Sequence, residues 1–327
     1  MASSTFTAWP IGIRLFNRPE HVRELLSSLA SQSIPVDASL LTFSIDGFSG
    51  SLDQIRGRTD NTTQVAALVT EYFPAATILQ FASNVGIGES TFELQKKVFA
   101  NEDANWAIFL EEDIVLEPDF LAAMDHLIKL AQDHEEIVKV GTGQLNLGYL
   151  KTPIKPGRKD FFLGQGTKAI AERRTFFEQR KALTEVYLGT IAGRQYSDRD
   201  EAQVFATMAE HGVFTIMGNN DVVHDRITAS LRKLFVVSGQ ALLVDQGISG
   251  ETNFVHPEIP IPAGGTGSVL TSTAADLAAC LGELQSEQHE FEQKFFKNFW
   301  GGYMVSKSGG LAIRVLLKKI KGLISKK

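Results

Sequence analysis

The chain has 327 residues, of which 43% are hydrophobic and 21% are charged, and its formal net charge is -6 at pH 7. This composition is typical of a globular protein, and the length suffices for one large α/β domain or two smaller ones. The mild acidity argues against nucleic-acid binding, which needs a basic surface.

Cysteine usage and hydropathy limit where the protein works. Cys280 is the only cysteine in the sequence, so no internal disulfide can form and a reducing compartment is favoured. The first residues lack a basic stretch followed by a long apolar core, and no run approaches the roughly 20 apolar residues that span a bilayer. We therefore expect a cytoplasmic protein without a signal peptide.

The first third of the chain alternates between short apolar runs and amphipathic helical patterns. Runs of four to six apolar-rich residues predict strands, and spacings of three and four predict helices. The predicted strands are 11–16, 40–45, 77–81 and 106–110, and a second, shorter apolar run follows at 114–116. The predicted helices start at Pro19 and cover 65–72 and 92–100. This alternation predicts a parallel sheet with helices on both faces.

Polar or glycine-rich loops follow four of these strands, beginning at Asn17, Asp46, Asn84 and Glu111. In a parallel sheet, the loops after the strands share one edge, which is where open α/β sheets bind their ligands. We therefore expect these four loops to build one site.

Three consecutive carboxylates, Glu111, Glu112 and Asp113, follow the apolar strand at 106–110. Burying a carboxylate without a partner costs several kcal/mol. A divalent cation that also binds a phosphate would be a natural partner for such a cluster. The alternative is an acidic loop after a core strand.

The rest of the chain is less regular. Its patterns predict helices at 120–128 and 204–208, a basic helical stretch that contains Arg173, Arg174 and Arg180, and a linker at 257–267. The predicted strands here are 137–140, 213–217 and 241–244. At 311–327, an apolar stripe opposes a lysine-rich face. Such a basic amphipathic helix is typical of a segment that binds a membrane surface or a partner; the alternative is a terminal helix docked on its own domain.

Several motifs in one order give a family resemblance. They are FNRP, SIDG, NVGIGES, FLEEDIVLEPDFL, NDVVHDR and LLVDQGISG. With them the chain resembles, over roughly residues 9–256, the glycosyltransferases of the GT-A fold, both the family 2 enzymes of bacterial polysaccharide synthesis and the N-acetylglucosaminyltransferase I type.

The resemblance implies a fold and a domain division. The expected fold is a Rossmann-like α/β fold with a mixed, mainly parallel sheet flanked by helices and a C-terminal helical extension. The expected domains are a transferase domain at 1–267 and the extension at 268–327. Within the first, residues 1–117 would bind the nucleotide-sugar donor and 118–267 would face the acceptor.

The resemblance also implies roles for the acidic triplet and for His256. Asp113 would bind Mn²⁺ or Mg²⁺ that bridges the two phosphates of a nucleotide-sugar, and His256 could be a further ligand. Glu112, where commoner forms carry aspartate, would reach the ribose, and Glu111 would support it. For His256, as for His224, a structural role is the alternative.

Other residues would bind the donor through its base and phosphates. Asp46 would accept the imide N–H of uracil, or it simply makes an Asp-Gly turn. Arg18 would approach the diphosphate, or it is a solvated residue at the start of a helix. Asn84 and Gly86 would let the backbone pass close to the nucleotide, or they only form a turn.

For the transfer step, the resemblance implies a general base. Asp221 would take the proton of the acceptor hydroxyl, with Asp225 as the alternative base, while Asp221 could equally be a helix cap. The function implied is an inverting, metal-dependent transfer from a UDP-sugar to a glycan or lipid-linked acceptor at the inner face of the plasma membrane. One alternative is a sugar-1-phosphate nucleotidyltransferase, against which the loop FNRPEHV argues because it is not glycine-rich. The other is a non-catalytic scaffold that binds carbohydrate or nucleotide.

Overall fold

The computed structural model describes the chain in eight ranges, which are 8–48, 59–142, 161–164, 168–194, 199–215, 218–238, 242–245 and 272–303. His256, the predicted linker at 257–267 and the basic tail at 311–327 lie outside these ranges. Within them, no helix is both long and apolar enough to cross a membrane.

The strands and helices alternate through the first part of the chain. The strands are β1 Ile11–Leu15, β2 Leu41–Ile45, β3 Thr77–Gln80, β4 Trp106–Glu111, β5 Ile114–Leu116, β6 Ile137–Gly141, β7 Phe161–Leu163, β8 Ala169–Arg173, β9 Leu234–Ser238 and β10 Leu243–Asp245. The helices are α1 Pro19–Ala30, α2 Thr62–Tyr72, α3 Ile87–Phe99, α4 Phe120–Ala131, α5 Arg174–Ile191, α6 Glu201–Glu210, α7 Asn220–Ser230 and α8 Ala274–Tyr303, with a short 3-10 turn at Ala38–Leu40.

Eight of the described strands form one sheet in the order β3-β2-β1-β4-β8-β6-β9-β7. The first four are parallel to one another, whereas β8 runs antiparallel to both β4 and β6, and β7 antiparallel to β9. The predicted α/β class, with a sheet flanked by helices and a C-terminal helix, is thus confirmed. Because β1 to β4 are parallel, the four predicted loops lie at one edge of the sheet, as expected.

The core of this sheet explains why the early predictions hold. Strand β4 is buried from Trp106 to Leu110, and helix α1 packs Val22, Leu25, Leu26 and Leu29 inward. Each fully buried side chain of this kind contributes about 1.5–3 kcal/mol. Pro19 at the start of α1 lacks a backbone N–H that would otherwise need a partner.

Three predictions of secondary structure are wrong in detail. Helix α3 begins at Ile87, earlier than predicted, because Gly86 adopts φ 85° at its N-cap and the helix starts directly after it. Of the basic stretch predicted as helical, Arg174 and Arg180 do lie in helix α5, but Arg173 ends strand β8, which pairs between β4 and β6 and overrides the helix propensity of arginine. The described part of the predicted strand at 213–217 is irregular, and the Phe214 carbonyl accepts a hydrogen bond from Arg226 at 2.9 Å instead of from a neighbouring strand.

The chain divides into two compact units, which are described separately below. The first comprises Met1–Thr175 and Phe235–Cys280, and the second Phe176–Leu234 and Leu281–Lys327. The predicted nucleotide-binding half at 1–117 lies wholly in the first unit. The domain division drawn from the sequence stays a prediction.

Candidate functional site

The edge of the sheet after β4 carries three carboxylates, and each has a basic partner within the first unit. Glu111 pairs with Arg14 at 2.9 Å, Glu112 with Arg18 at 2.5 Å, and Asp113 with Lys168 at 2.9 Å. The chain therefore supplies cations for carboxylates that the sequence alone left without partners. We call these six residues the charged edge cluster.

Glu112 ties the loop after β1 to the end of β4. Its Oε2 accepts a hydrogen bond from the backbone N–H of Phe16 at 2.6 Å, and its Oε1 accepts one from Nε of Arg18 at 2.5 Å. The residue is only 6% exposed. Both oxygens are thus engaged by the chain, and contact with a ribose stays a prediction that uses their remaining lone pairs.

Asp113 is held from one side only. Its Oδ2 accepts hydrogen bonds from Lys168 at 2.9 Å and from Arg18 at 3.2 Å, whereas its Oδ1 is buried without a partner among the described residues. Burial by itself would raise the pKa of Asp113, but the charges of Lys168 and Arg18 outweigh it and hold the pKa below its ordinary value. The carboxylate is therefore ionised, and its Oδ1 has no hydrogen-bond partner among the described residues.

Arg18 bridges two of the carboxylates and is not the solvated residue that the sequence left open. Burial by itself would lower its pKa, but Glu112 and then Asp113 raise it above the ordinary value. Its side chain keeps 31% exposure and is therefore only partly buried.

Asp46, at the end of β2, holds the loop between β3 and α3. Its Oδ1 accepts hydrogen bonds from the N–H groups of Gly47 and Val85 at 2.9 and 2.8 Å, and its Oδ2 accepts one from Gly86 at 3.1 Å. Burial outweighs these bonds and raises the pKa of Asp46. Asp46 therefore has a structural role, and contact with a base remains a prediction.

Two glycines bring this loop close to β2. A Cβ atom at Gly47 would lie 2.3 Å from the backbone of Ser83, so no other side chain fits there. Gly86 has φ 85° and ψ 161°, a conformation essentially restricted to glycine. Asn84 is exposed in the same loop. The glycines of SIDG and NVGIGES thus shape the edge of the sheet, whatever it binds.

Two members of the charged edge cluster were not predicted. Arg14 interrupts the apolar strand β1. A charged residue within an apolar strand could have been recognised from the sequence as a candidate site residue. Lys168 lies 55 residues after Asp113 in a stretch without any recognisable pattern, so only the antiparallel pairing of β8 with β4 reveals it.

The predicted catalytic residues lie in the second unit, at the start of helix α7. Asn219 is the N-cap, and its Oδ1 accepts a hydrogen bond from the N–H of Val222 at 3.1 Å. Asp221 is therefore not the cap. It is exposed in the first turn, and within the described residues its carboxylate has no hydrogen-bond or ion-pair partner.

The loop before Asp221 is held by both backbone groups of Gly218. The Gly218 carbonyl accepts a hydrogen bond from the Tyr187 hydroxyl at 3.0 Å, and its N–H donates to Glu201 at 3.3 Å. Tyr187 is fully buried in α5. These contacts from α5 and α6 fix where α7 begins, and hence where Asp221 lies in this unit.

The remaining residues of NDVVHDR differ in their roles. Arg226 is buried and forms a bidentate ion pair with Glu292 of α8, with both N–O distances at 2.6 Å. This ion pair anchors that helix within the second unit. Asp225 and His224 are half-buried and both have further interactions. A catalytic role for Asp225 stays a prediction, as does a ligand role for His256, which lies outside the described residues.

The residues of the charged edge cluster decide which kind of cation site could form there. Among the described residues, no three His, Cys, Asp or Glu side chains are arranged to hold a metal ion. Asp113 Oδ1 nevertheless offers one buried carboxylate oxygen. Mg²⁺ is commonly bound by one or two carboxylates together with substrate phosphates. The donor set therefore suits a cation that arrives with a phosphate, not one caged by these residues alone.

No family model matches the sequence, and no curated protein is significantly similar to it. The similar solved structures include S. aureus TarS. TarS 1-349 in complex with UDP-GlcNAc is 12% identical, with a TM-score of 0.41, and the match covers 71% of this chain and 57% of that one. TarS 1-349 in complex with UDP is 14% identical, with a TM-score of 0.39, covering 67% and 69%. Likeness at this level carries no argument about activity.

Proposed function

We propose that this protein is a glycosyltransferase that moves a sugar from a nucleoside-diphosphate donor, with a UDP-sugar favoured, to a hydroxyl of a glycan or lipid-linked acceptor. The observation that carries this proposal is Asp113. It is a buried, ionised carboxylate at the ligand-binding edge of a parallel sheet, with one oxygen unpartnered among the described residues and two cations beside it.

The donor would lie along the loops after β1, β2, β3 and β4. Arg18 would contact the diphosphate, since its guanidinium combines five donors with a charge. Asp46 would face the base through the lone pairs that Gly47, Val85 and Gly86 leave, and Asn84 and Gly86 would border it. Glu111 and Glu112 would keep Arg14 and Arg18 in position, with Glu112 also reaching the ribose.

A Mn²⁺ or Mg²⁺ ion would be held by Asp113, with His256 as a proposed further ligand, and when bound it would neutralise the negative charge that develops on the departing nucleoside diphosphate. Asp113 is suited to this because Lys168 and Arg18 keep it ionised. The same two residues occupy only Oδ2.

The acceptor hydroxyl must lose a proton as it attacks the anomeric carbon. Asp221 would accept that proton, because it is an exposed aspartate that neither caps α7 nor pairs within the described residues. Asp225 is the alternative base. A direct attack assisted by one base inverts the anomeric configuration. The proposal includes synthesis of a surface glycan, with the tail at 311–327 against the inner face of the membrane.

Turnover of donors tests this proposal. UDP-N-acetylglucosamine, UDP-glucose, GDP-mannose and dTDP-glucose would each be incubated with the protein, with and without a bacterial surface-polysaccharide extract, in Mn²⁺ or in EDTA. We expect release of UDP from one UDP-sugar, accelerated by the extract. Formation of UTP on addition of pyrophosphate would instead identify a nucleotidyltransferase. If no donor is consumed in any mixture, the proposal is wrong.

A further inference from the structure

The charged edge cluster is formally neutral. Its three carboxylates, Glu111, Glu112 and Asp113, face three cations, Arg14, Arg18 and Lys168. A cation is therefore not needed to balance the carboxylates themselves. The need for positive charge arises only when a diphosphate enters, because the ligand then adds negative charge to a balanced site.

The backbone of Lys168 is fixed at the edge of the sheet where the diphosphate would bind. It directly precedes β8, and its carbonyl accepts a hydrogen bond from the N–H of Glu111 at 3.0 Å, which ties its backbone to the end of β4. Its side chain is 23% exposed, whereas that of Asp113 is only 7% exposed. The Lys168 side chain thus pairs with a buried carboxylate and is itself partly exposed.

Lys168 and Arg18 also share one atom as a partner. Both bond Oδ2 of Asp113, at 2.9 and 3.2 Å, so that the two positive groups converge on one point of the edge. An ammonium has three N–H donors and a guanidinium has five, and both can bond a carboxylate and a phosphate oxygen together. Hydrogen bonds between charged groups are the strong ones.

We propose that Lys168 is a donor-binding residue, which together with Arg18 holds the diphosphate of the nucleotide. The chain then supplies part of the positive charge that the divalent cation would otherwise supply. Nucleoside diphosphate consequently binds, more weakly, even without metal. This inference rests on the proposed function and adds to it a residue that no sequence motif contains.

A purely structural role for Lys168 is the competing account. In that account the ammonium only neutralises the buried Asp113 and never contacts a ligand. The two accounts differ in the binding of nucleotide without metal, which a structural ion pair would not change in a folded variant.

Calorimetric titration of UDP in EDTA and in Mn²⁺ separates these accounts. We expect wild type to bind UDP in EDTA and Lys168→Met to bind it roughly ten- to hundredfold more weakly, as for the loss of a charged hydrogen bond. Lys129→Met is the matched control. Lys129 also pairs with an aspartate, Asp125, at 2.7 Å, but its side chain is 60% exposed on α4, and we expect its affinity for UDP to equal that of wild type.

A second pair of variants guards against misfolding of Lys168→Met. Asp113→Asn and Asp113→Asn/Lys168→Met both lack the buried carboxylate. Replacing Lys168 in the Asp113→Asn background therefore leaves no buried charge without its partner. The double variant should bind UDP in EDTA at least tenfold more weakly than the single variant. The inference would be overturned if wild type and Lys168→Met bound UDP in EDTA with equal affinity. Equal affinities of Asp113→Asn and Asp113→Asn/Lys168→Met would overturn it as well.

The remaining outcomes are also decisive. Binding of UDP to wild type only in Mn²⁺, with Lys168→Met indistinguishable from wild type, would overturn the role of Lys168 but leave the proposed function standing. If wild type binds UDP neither in EDTA nor in Mn²⁺, the proposed function is contradicted, and so is this inference.

Discussion

Replacing Asp221 with asparagine is expected to lower the rate of sugar transfer about 10²- to 10⁴-fold, the usual contribution of a general base. Binding of the nucleotide should not change, because Asp221 is proposed to act on the acceptor hydroxyl and not on the donor. The fold should also survive, since Asn219 caps α7 and Asp221 is exposed.

Initial rates at saturating donor, with UDP affinity measured in parallel, test this expectation. Asp200→Asn is the control, because Asp200 caps α6 in the same unit and asparagine caps a helix equally well. Its rate should stay within about twofold of wild type. If Asp221→Asn transfers sugar at a near-normal rate while Asp225→Asn does not, the base is Asp225.

Replacing Glu112 with alanine is expected to lower the free energy of unfolding by about 3 kcal/mol, the lower end for breaking a buried ion pair. The variant leaves the Phe16 N–H without its acceptor and removes the strongest partner of Arg18. Glu111→Ala is the matched control. Its side chain is 32% exposed, and the loss should be about 1 kcal/mol or less.

Urea denaturation of both variants measures this difference. A loss in Glu112→Ala no larger than that in Glu111→Ala would show that Glu112 does not anchor the loop after β1. The role of Arg18 would then also need revision, because Glu112 is what fixes its guanidinium beside Asp113.

The sheet edge could be predicted because its signals are local. The apolar runs of β1, β2 and β4 and the helical spacing of α1 each lie within a few residues, and alternation of strands and helices fixes the parallel order. The loops that follow these strands could therefore be assigned to one edge of the sheet from the sequence alone.

The partners of the carboxylates could not be predicted, because they depend on distant pairing. For Glu111, Glu112 and Asp113, the sequence suggested a divalent cation as the partner, and it did not reveal Arg14 on the neighbouring strand or Lys168 before β8. Strand β8 itself was missed, since its alanine, glutamate and arginine favour a helix until burial in the sheet decides otherwise. The cap of α7 was similarly undecided, and the geometry of Asn219 resolves it.

Calorimetric titration of UDP, GDP and dTDP, each with and without Mn²⁺, against wild type and Asp113→Ala tests the central claim most directly. We expect one nucleotide, UDP, to bind wild type more tightly in Mn²⁺ than in EDTA, and the effect of Mn²⁺ to disappear in Asp113→Ala. An unchanged response to Mn²⁺ in Asp113→Ala would place the cation elsewhere. Failure of all three nucleotides to bind wild type would contradict the account of this edge as a donor site.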